Sequence, residues 1–428
     1  MGERGIPVVG ADAPEPDEAE PDDVRHQAAR WLAENWDPGL SLAEWRRRLA
    51  DSGWGCPTWP RAWYGRGATP EAAAAIAQEF MAAGAVGVAA TTAVTLAAPT
   101  LLAHGSDYLR SLFLRPALVG SHRWTQLFSE PGSGSDLASV STRAVLDRGT
   151  WVIDGRKVWS SGADVATHGM LIARTDWDVP KHRGITYFIV DLDQPGVEVR
   201  PIKQMNEHAT FSAVTLSGVR VPASHVVGEV GGGWTVAATT LTSERSSPAN
   251  LGAPVARLSG RCHREAAEEA ERAARPYRWY PQRYGRPDLV RQSHSADPHV
   301  RQQIARVISQ ERIAEWYGAR RHAAQRMGAG SGAESSLAKL MASELARACA
   351  VAHAQLAGAR AMLGAAGAGD NVVAEILLSV PAVSLAGGTD EIQKNIIAEK
   401  VLGLPRDPSS DARLPFRDVR RDPVAEDR

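Results

Sequence analysis

The hydrophobic rhythm of this chain changes twice, and the two changes limit what it can fold into. From Asp23 to about Ser121 apolar residues return at helical spacing, as in Val24-Arg25-His26-Gln27-Ala28-Ala29-Arg30-Trp31-Leu32. A second helix is expected over Glu71–Ala83, opened by the cap and first-turn pair Thr69-Pro70 and stopped by Gly84. From His122 to about Gly233 the period falls to two. Strands are expected around Trp151–Ile153, Met170–Ala173, Gly184–Val190, Val197–Pro201 and Ala213–Leu216, with Asp154-Gly155 as a turn. From Trp234 to Gly403 the helical rhythm returns in long Ala-rich stretches, Trp234–Arg257, Pro298–Met327, Glu334–Gly364 and Asp390–Leu402, enough helices to bundle. Arginine-rich Arg272–Arg291 reads as a linker or loop. Residues 1–22, rich in Pro, Asp and Glu, read as a disordered tail, and 407–428 as a flexible one. The expected class is α+β: a helical domain over 23–121, a compact β domain over 122–233 and a helix bundle over 234–406.

A chain of 428 residues has room for two or three domains. Its 44% hydrophobic and 23% charged content is that of a globular protein. A net charge of −1 provides no global field for nucleic acid or a membrane. Three scattered cysteines, Cys56, Cys262 and Cys349, fit a reducing compartment without disulfides. Cys262-His263 falls short of the four ligands of a closed metal site. With no apolar run of eighteen residues and no basic-then-apolar leader, a cytoplasmic protein is expected.

Four stretches carry chemistry. Trp124-Thr125-Gln126-Leu127-Phe128-Ser129-Glu130-Pro131-Gly132-Ser133-Gly134-Ser135-Asp136 bends at a proline and two glycines and offers hydroxyls and backbone N–H groups. Such a loop suits an anion or the edge of a heterocycle, and by itself it is equally a polar turn. Asp154-Gly155-Arg156-Lys157-Val158-Trp159-Ser160-Ser161-Gly162-Ala163 is, alone, a core tryptophan beside a turn. Leu241-Thr242-Ser243-Glu244-Arg245 puts a carboxylate well inside a helix, either solvated or held for acid–base work. Leu385-Ala386-Gly387-Gly388-Thr389-Asp390-Glu391-Ile392-Gln393 sets a glycine pair before a capped helix.

Taken together and in this order, the four stretches resemble the acyl-CoA dehydrogenases, over about residues 23–406. Val219–Trp234 resembles the family's exit from the β domain and has a structural role. The resemblance implies the acyl-CoA dehydrogenase fold, with a helical N-terminal domain, a β-barrel-like middle domain and a C-terminal four-helix bundle. It implies FAD as cofactor and α,β-dehydrogenation of an acyl thioester, either acyl-CoA or carrier-protein-bound. It also implies an electron-transfer flavoprotein or similar acceptor, and a homodimer, homotetramer or heterotetramer. By the same resemblance Gln126, Phe128 and Ser129 face the flavin ring, and Ser135 lies near the pyrophosphate and the substrate. Trp159 packs on the flavin, Ser161 bonds near its N5, and Thr389 and Glu391 lie in the cofactor-contact segment. Many members carry the catalytic glutamate where this chain has Gly387. Isovaleryl-CoA and long-chain acyl-CoA dehydrogenases carry theirs at the position of Glu244. Glu244 is therefore the expected base, beside Arg245 as a substrate contact, and the Gly387 N–H is expected to polarise the thioester carbonyl. The missing side chain points to a branched or bulky acyl group.

Two departures bear on assembly. Tyr284-Gly285 resembles the end of the family's Arg-x-x-Phe-Gly segment, but Pro281 holds the arginine's place, with Arg278 and Arg283 nearby. The family's Gln-x-x-Gly-Gly motif is reduced to Met362-Leu363-Gly364-Ala365-Ala366-Gly367. These changes support another reading, a partner subunit that completes the FAD site of another chain; a flavin monooxygenase on the same fold, of a kind that lacks the base, is a further one, and Glu244 argues against it. Gly328-Ala329-Gly330-Ser331-Gly332 reads as a loop between helices, and Arg320, Arg321 and Arg326 as a solvated helix end.

Overall fold

The computed structural model describes residues 21–89, 91–246, 259–326, 334–362, 372–406, 411 and 413–419. The first helices are α1 (Pro21–Asn35), α2 (Leu42–Ser52), α3 (Pro70–Ala82), α4 (Ala98–His104) and α5 (Asp107–Val119). Eight strands follow: β1 (Trp124–Leu127), β2 (Arg143–Asp147), β3 (Thr150–Ser161), β4 (His168–Arg174), β5 (Ile185–Asp191), β6 (Val197–Ile202), β7 (Phe211–Pro222) and β8 (Val226–Val227). The chain then returns to helices: α6 (Gly233–Ser246), α7 (Arg261–Ala274), α8 (Tyr280–Arg283), α9 (Pro287–Arg291), α10 (Pro298–Arg326), α11 (Glu334–Ala357), α12 (Val372–Ser379), α13 (Pro381–Leu385) and α14 (Asp390–Lys400).

Compactness divides the chain elsewhere than its rhythm does. Residues up to Val88, with Leu258–Glu265, form one unit, and Ala89–Arg257 with Ala266–Arg428 form the other. In the first, α1 begins at Pro21, so the tail expected to reach residue 22 stops two residues earlier. Its acidic opening suits a helix N-terminus. The Thr69 side chain accepts from Ala72 N and caps α3, with Pro70 in the first turn. Trp45 is fully buried, its ring 4.6 Å from Trp36 and 5.5 Å from Trp31.

In the second unit α4 and α5 pack with α6 and the sheet. The Thr100 and Thr240 hydroxyls, both buried, meet at 2.8 Å between α4 and α6. The sheet order is β6-β7-β3-β2-β4-β5-β8, with β1 alongside β4. Trp151 of β3 meets Phe188 of β5 at 5.4 Å although two strands separate them in that order. The sheet therefore curls around one apolar core that includes Leu127, Trp151, Ile153, Leu171, Phe188 and Val214. It is barrel-like but open, since no pairing joins β6 to β8 among the described residues.

Three local expectations change. Asp154-Gly155 lies inside one long strand, not at a turn, opposite a bulge in which Ser217 and Gly218 of β7 face Asp154 alone. At Gly155 a Cβ would lie 2.4 Å from the Thr142 hydroxyl oxygen, so only glycine lets β3 pass there. Arg272–Arg291 is not a loop: it ends α7 and forms α8 and α9, burying Trp279 and Val290. Residues 413–419 are not a loose tail either. Pro415 bridges Pro180, Phe416 N donates to Val179 O at 2.9 Å, and the Phe416 ring is fully buried. The stretches 247–258, 327–333 and 363–371 lie outside the described residues, and with them the Gly328–Gly332 loop and most of the Met362–Gly367 motif.

Helix α11 is the centre of the C-terminal part, packing against α6, α10 and α14. Val372–Lys400 has a mean hydropathy of 1.7 over its best window, enough by composition to cross a membrane. In the structure it is three helices, broken at Pro381 and at Gly387–Gly388.

A histidine cluster lies where α5 meets the sheet. The His168 ring stacks on His122 at 4.3 Å and on Trp124 at 5.3 Å, and its Nδ1 bonds the Thr167 hydroxyl at 2.8 Å. Burial, then His122 and His225, push its pKa down to about 4, with Asp191 opposing. The unfolded chain takes up this proton first, near pH 6.5, so stability falls as pH drops from about 6.5 toward 4. Urea midpoints should show this decline, and His168→Gln should flatten it between about pH 6.5 and 5. An unchanged slope would show that His168 titrates normally.

Candidate active site

The stretches that sequence reasoning singled out are held by a buried ion pair it did not single out. Lys157 of β3 is fully buried, and its Nζ donates to Glu130 Oε1 at 2.8 Å and to the Phe128 carbonyl at 3.0 Å. Glu130 is saturated: Oε1 also accepts from Thr142 N, and Oε2 accepts from Ser141 N and Ser141 Oγ. Burial raises the Glu130 pKa, but the Lys157 ammonium and these hydrogen bonds outweigh it and hold the carboxyl below its ordinary value. Burial works against the Lys157 charge as well, and Glu130 is what sustains it.

This pair fixes both ends of the first stretch against the second. Val158 N donates to Ser129 O at 2.9 Å, and Thr125 Oγ1 donates to Ser161 O at 2.9 Å. Glu130 and Ser133 exchange backbone hydrogen bonds, and Ser133 Oγ donates to Asp136 O, closing the loop. Gly132, Gly134 and Ser135 stay exposed, with open space at Gly134. Phe128 turns its ring inward, 5.8 Å from the buried Tyr187, so only its backbone remains on the loop side.

Beside the pair, β3 carries a bulge of its own between Lys157 and Ser160, where Val158 and Trp159 oppose Ala213 alone. The bulge leaves Trp159 at φ 63° with its indole 56% exposed. A bulky side chain in left-handed backbone, showing its largest apolar surface to solvent, is costly on two counts. Phe211 touches the indole edge at 5.9 Å. Ser161 is exposed, and its side chain hydrogen-bonds Tyr277 from the segment expected to be a linker.

Helix α6 supplies the carboxylate. Glu244 Oε2 lies 3.4 Å from Gln126 Nε2, so the structure brings the expected base to β1, 118 positions earlier in the chain. Buried hydroxyls lock α6 here: Thr240 bonds Thr100 at 2.8 Å and Tyr187 at 3.2 Å. Glu244 is exposed, whereas a base for a weakly acidic carbon needs water excluded around it. The side chain of Arg245 lies outside the described residues.

Gly387, Thr389 and Glu391 form a separate group, organised around Asp390. Gly387 (φ 66°) and Gly388 (φ 84°) are both left-handed. A Cβ on Gly387 would meet nothing within 4 Å, while one on Gly388 would lie 2.4 Å from Gln393 Nε2. Gln393 Nε2 donates to the Gly387 carbonyl at 2.9 Å, and Thr389 caps α14 by accepting from Ile392 N. Asp390 is 4% exposed and is bound by Lys339 Nζ at 2.8 Å and by Arg347. Burial opposes its charge, but Lys339, Arg347, Ser343 and Ser384 hold the carboxyl well below the usual range. The glycine turn is thereby pinned to α11.

Three family models match the chain in order: the acyl-CoA dehydrogenase N-terminal domain over residues 21–121, the middle domain over 125–219 and the C-terminal domain over 231–402. The chain belongs to the acyl-CoA dehydrogenase family. These are flavoprotein oxidoreductases acting on CH–CH bonds. Acyl-CoA dehydrogenase FadE34 of Mycobacterium tuberculosis is 37% identical over 86% of this chain but only 47% of its own length, so this chain spans about half of it. Acyl-CoA dehydrogenase IpdE1 of the same organism is 34% identical over 90% of this chain and 98% of its own. Among solved structures, the Tcur3481-Tcur3483 steroid ACAD is 26% identical with a TM-score of 0.60, over 90% of this chain and 97% of that one. The ChsE4-ChsE5 complex of Mycobacterium tuberculosis is 25% identical with a TM-score of 0.61, over 93% and 100%.

Within this family member, Glu130, Lys157, Asp390 and Tyr277 are the residues that sequence reasoning passed over. Lys157 left a readable sign: it shares the inward phase of Trp151 and Ile153, where a charge demands a partner. Lys157→Met strands a buried carboxylate and should cost about 3–5 kcal/mol. Adding Glu130→Gln should recover part of that cost, measured by urea denaturation. Strictly additive losses would mean the two side chains do not act as a pair.

Proposed function

We propose that this chain is an FAD-dependent dehydrogenase that converts an acyl thioester to its trans-2-enoyl form with Glu244 as the base. The observation that carries the reading is the approach of Glu244 to Gln126. It sets a carboxylate beside the strand that leads into the Ser129–Asp136 loop, while the other position where the family places a base is the glycine Gly387.

The residues present fit a flavin. The exposed, left-handed Trp159 offers a flat apolar face, Gln126 and Ser161 offer polar groups on either side, and the open Gly132–Ser135 loop offers hydroxyls and amides for a diphosphate. A bound flavin supplies the acceptor for the hydrogen that leaves the β-carbon as hydride. Glu244 takes the α-proton as a general base. The Gly387 N–H stabilises the negative charge that grows on the thioester carbonyl. Gln126 holds the Glu244 carboxylate in orientation through its side-chain amide. Electrons then leave to an electron-transfer flavoprotein or similar acceptor.

The substrate we infer is bulky. Gly387 leaves space where relatives carry a side chain, and one of the similar solved structures is a steroid ACAD. Exposure of Glu244 favours one refinement: the site becomes dry only on assembly, with a second copy or with a different chain as in the ChsE4-ChsE5 complex. Pro281, standing where the family's arginine reaches toward a neighbouring subunit, supports a different chain.

Anaerobic bleaching of the flavin by a panel of acyl-CoA thioesters tests the reading. Wild type should bleach with polycyclic or branched acyl groups faster than with short straight ones, and Glu244→Gln should slow bleaching by roughly 100-fold or more. Unchanged rates in the variant would remove Glu244 from the mechanism. A colourless protein that takes up flavin only when mixed with a second chain would establish the half-site form.

A further inference from the structure

We propose that Lys181 is a positioning residue for the Pro131–Asp136 loop, and that the C-terminal strap around Phe416 braces it there. The inference rests on the reading that this loop faces the flavin diphosphate.

Lys181 Nζ is shared by two carboxylates from distant parts of the chain, Asp136 Oδ2 at 2.8 Å and Asp411 Oδ2 at 3.0 Å. Its side chain is 11% exposed and that of Asp411 28%, so the cation is held within the protein, while the Asp136 carboxylate on the loop stays 53% exposed. Asp136 ends the loop, and Ser139 Oγ donates to the same oxygen that Lys181 holds. The other end of the loop is Glu130, fixed by Lys157. The loop is therefore clamped by one buried pair at its start and one shared cation at its finish.

The strap sets where that cation stands. Pro415, Phe416 and Arg417 bind the backbone of Trp177, Val179 and Pro180, and Arg417 pairs with Asp178. Arg174, fully buried, joins the parts. Its guanidinium donates to the carbonyls of Lys181, Ala138 and Val140, and lies 3.7 Å from the centre of the Phe416 ring. One cation thus ties the segment after the loop, the residue that grips the loop and the strap that covers both. Neither carboxylate is dispensable in the same way. Without Asp411, Lys181 still holds Asp136. Without Lys181, the Asp136 and Asp411 carboxylates lose the cation they share and repel each other, and Asp136, still bonded by Ser139 Oγ, turns a negative charge without its counter-ion toward an anionic ligand.

This gives the double variant an opposite sign from the single one. Flavin release on dilution, followed by free-flavin fluorescence, should be roughly fivefold faster in Lys181→Met and about twofold faster in Asp411→Asn. In the Lys181→Met background, Asp411→Asn should slow release, because it removes the repulsion. Lys181→Arg should release flavin as wild type does. Hydrogen exchange of the loop amides in flavin-free protein should quicken in Lys181→Met and in Phe416→Ala, while the thermal midpoint of the Asp411→Asn protein stays near that of wild type. Release at the wild-type rate from Lys181→Met, or an Asp411→Asn effect of the same sign in both backgrounds, would overturn the proposal. Wild-type protein that binds no flavin in any assembly would instead sink the flavin reading on which it rests.

Discussion

The ion pair between Lys157 and Glu130 is the constraint on which the candidate site depends. Two charges so deeply withdrawn from water need close partners, and here Glu130 accepts from Lys157, Ser141 and Thr142 while Lys157 donates to Glu130 and to the Phe128 carbonyl. Satisfying Glu130 takes the backbone at Ser141 and Thr142. Satisfying Lys157 takes the carbonyl of Phe128. The pair therefore cannot form unless β1, the loop after it and β3 are already in register. It trades some stability for a single arrangement of the loop, since a hydrophobic pair of equal volume would tolerate slippage.

What could be read from the sequence and what could not divide along the same line. Periodicity carried the helix–sheet–helix order because burial alone makes it. Motif order carried the family. The Asp154-Gly155 turn failed because a glycine is also what a strand needs where another backbone comes close, and that approach is made by Thr142, outside the dipeptide's own neighbourhood. Arg272–Arg291 failed because arginine density masked three buried anchors, Trp279, Arg283 and Val290. The strap failed for the reason that makes it useful. Seven residues with one aromatic have no periodicity, and their stability comes from Arg174 and the 177–180 backbone. Glu130, Lys157 and Asp390 were visible as letters inside recognised stretches, but their roles are burial and pairing, which only coordinates supply.

The relation between Gly387 and Glu244 becomes sharper with the structure. Gly387 occupies left-handed backbone in which an L side chain is strained, with free space around the missing Cβ. The turn is therefore adapted to glycine as well as lacking a carboxylate. Glu244 stands on a helix whose rotation is set by Thr240 and its buried hydroxyl partners, so its direction toward Gln126 is a consequence of core packing rather than of a surface preference.

One asymmetry runs through the site. The groups that hold it together, Glu130, Lys157, Asp390 and Arg174, are buried, while the groups assigned chemistry, Glu244, Ser135, Trp159, Ser161 and Gly387, are exposed or partly so. A base works on a weakly acidic carbon only when water is excluded and its own charge is desolvated. The chain by itself supplies the orientation and not the dryness. Apolar area shown by Trp159, and by Leu385 at 66% exposure beside the Gly387 turn, is what a flat cofactor, a large acyl group or a second subunit would cover. In the mechanism proposed above, proton abstraction by Glu244 would be coupled to occupancy: the carboxylate would gain its strength as a base only once ligand or partner had closed the surface around it. Such coupling would tie turnover to a correctly filled site.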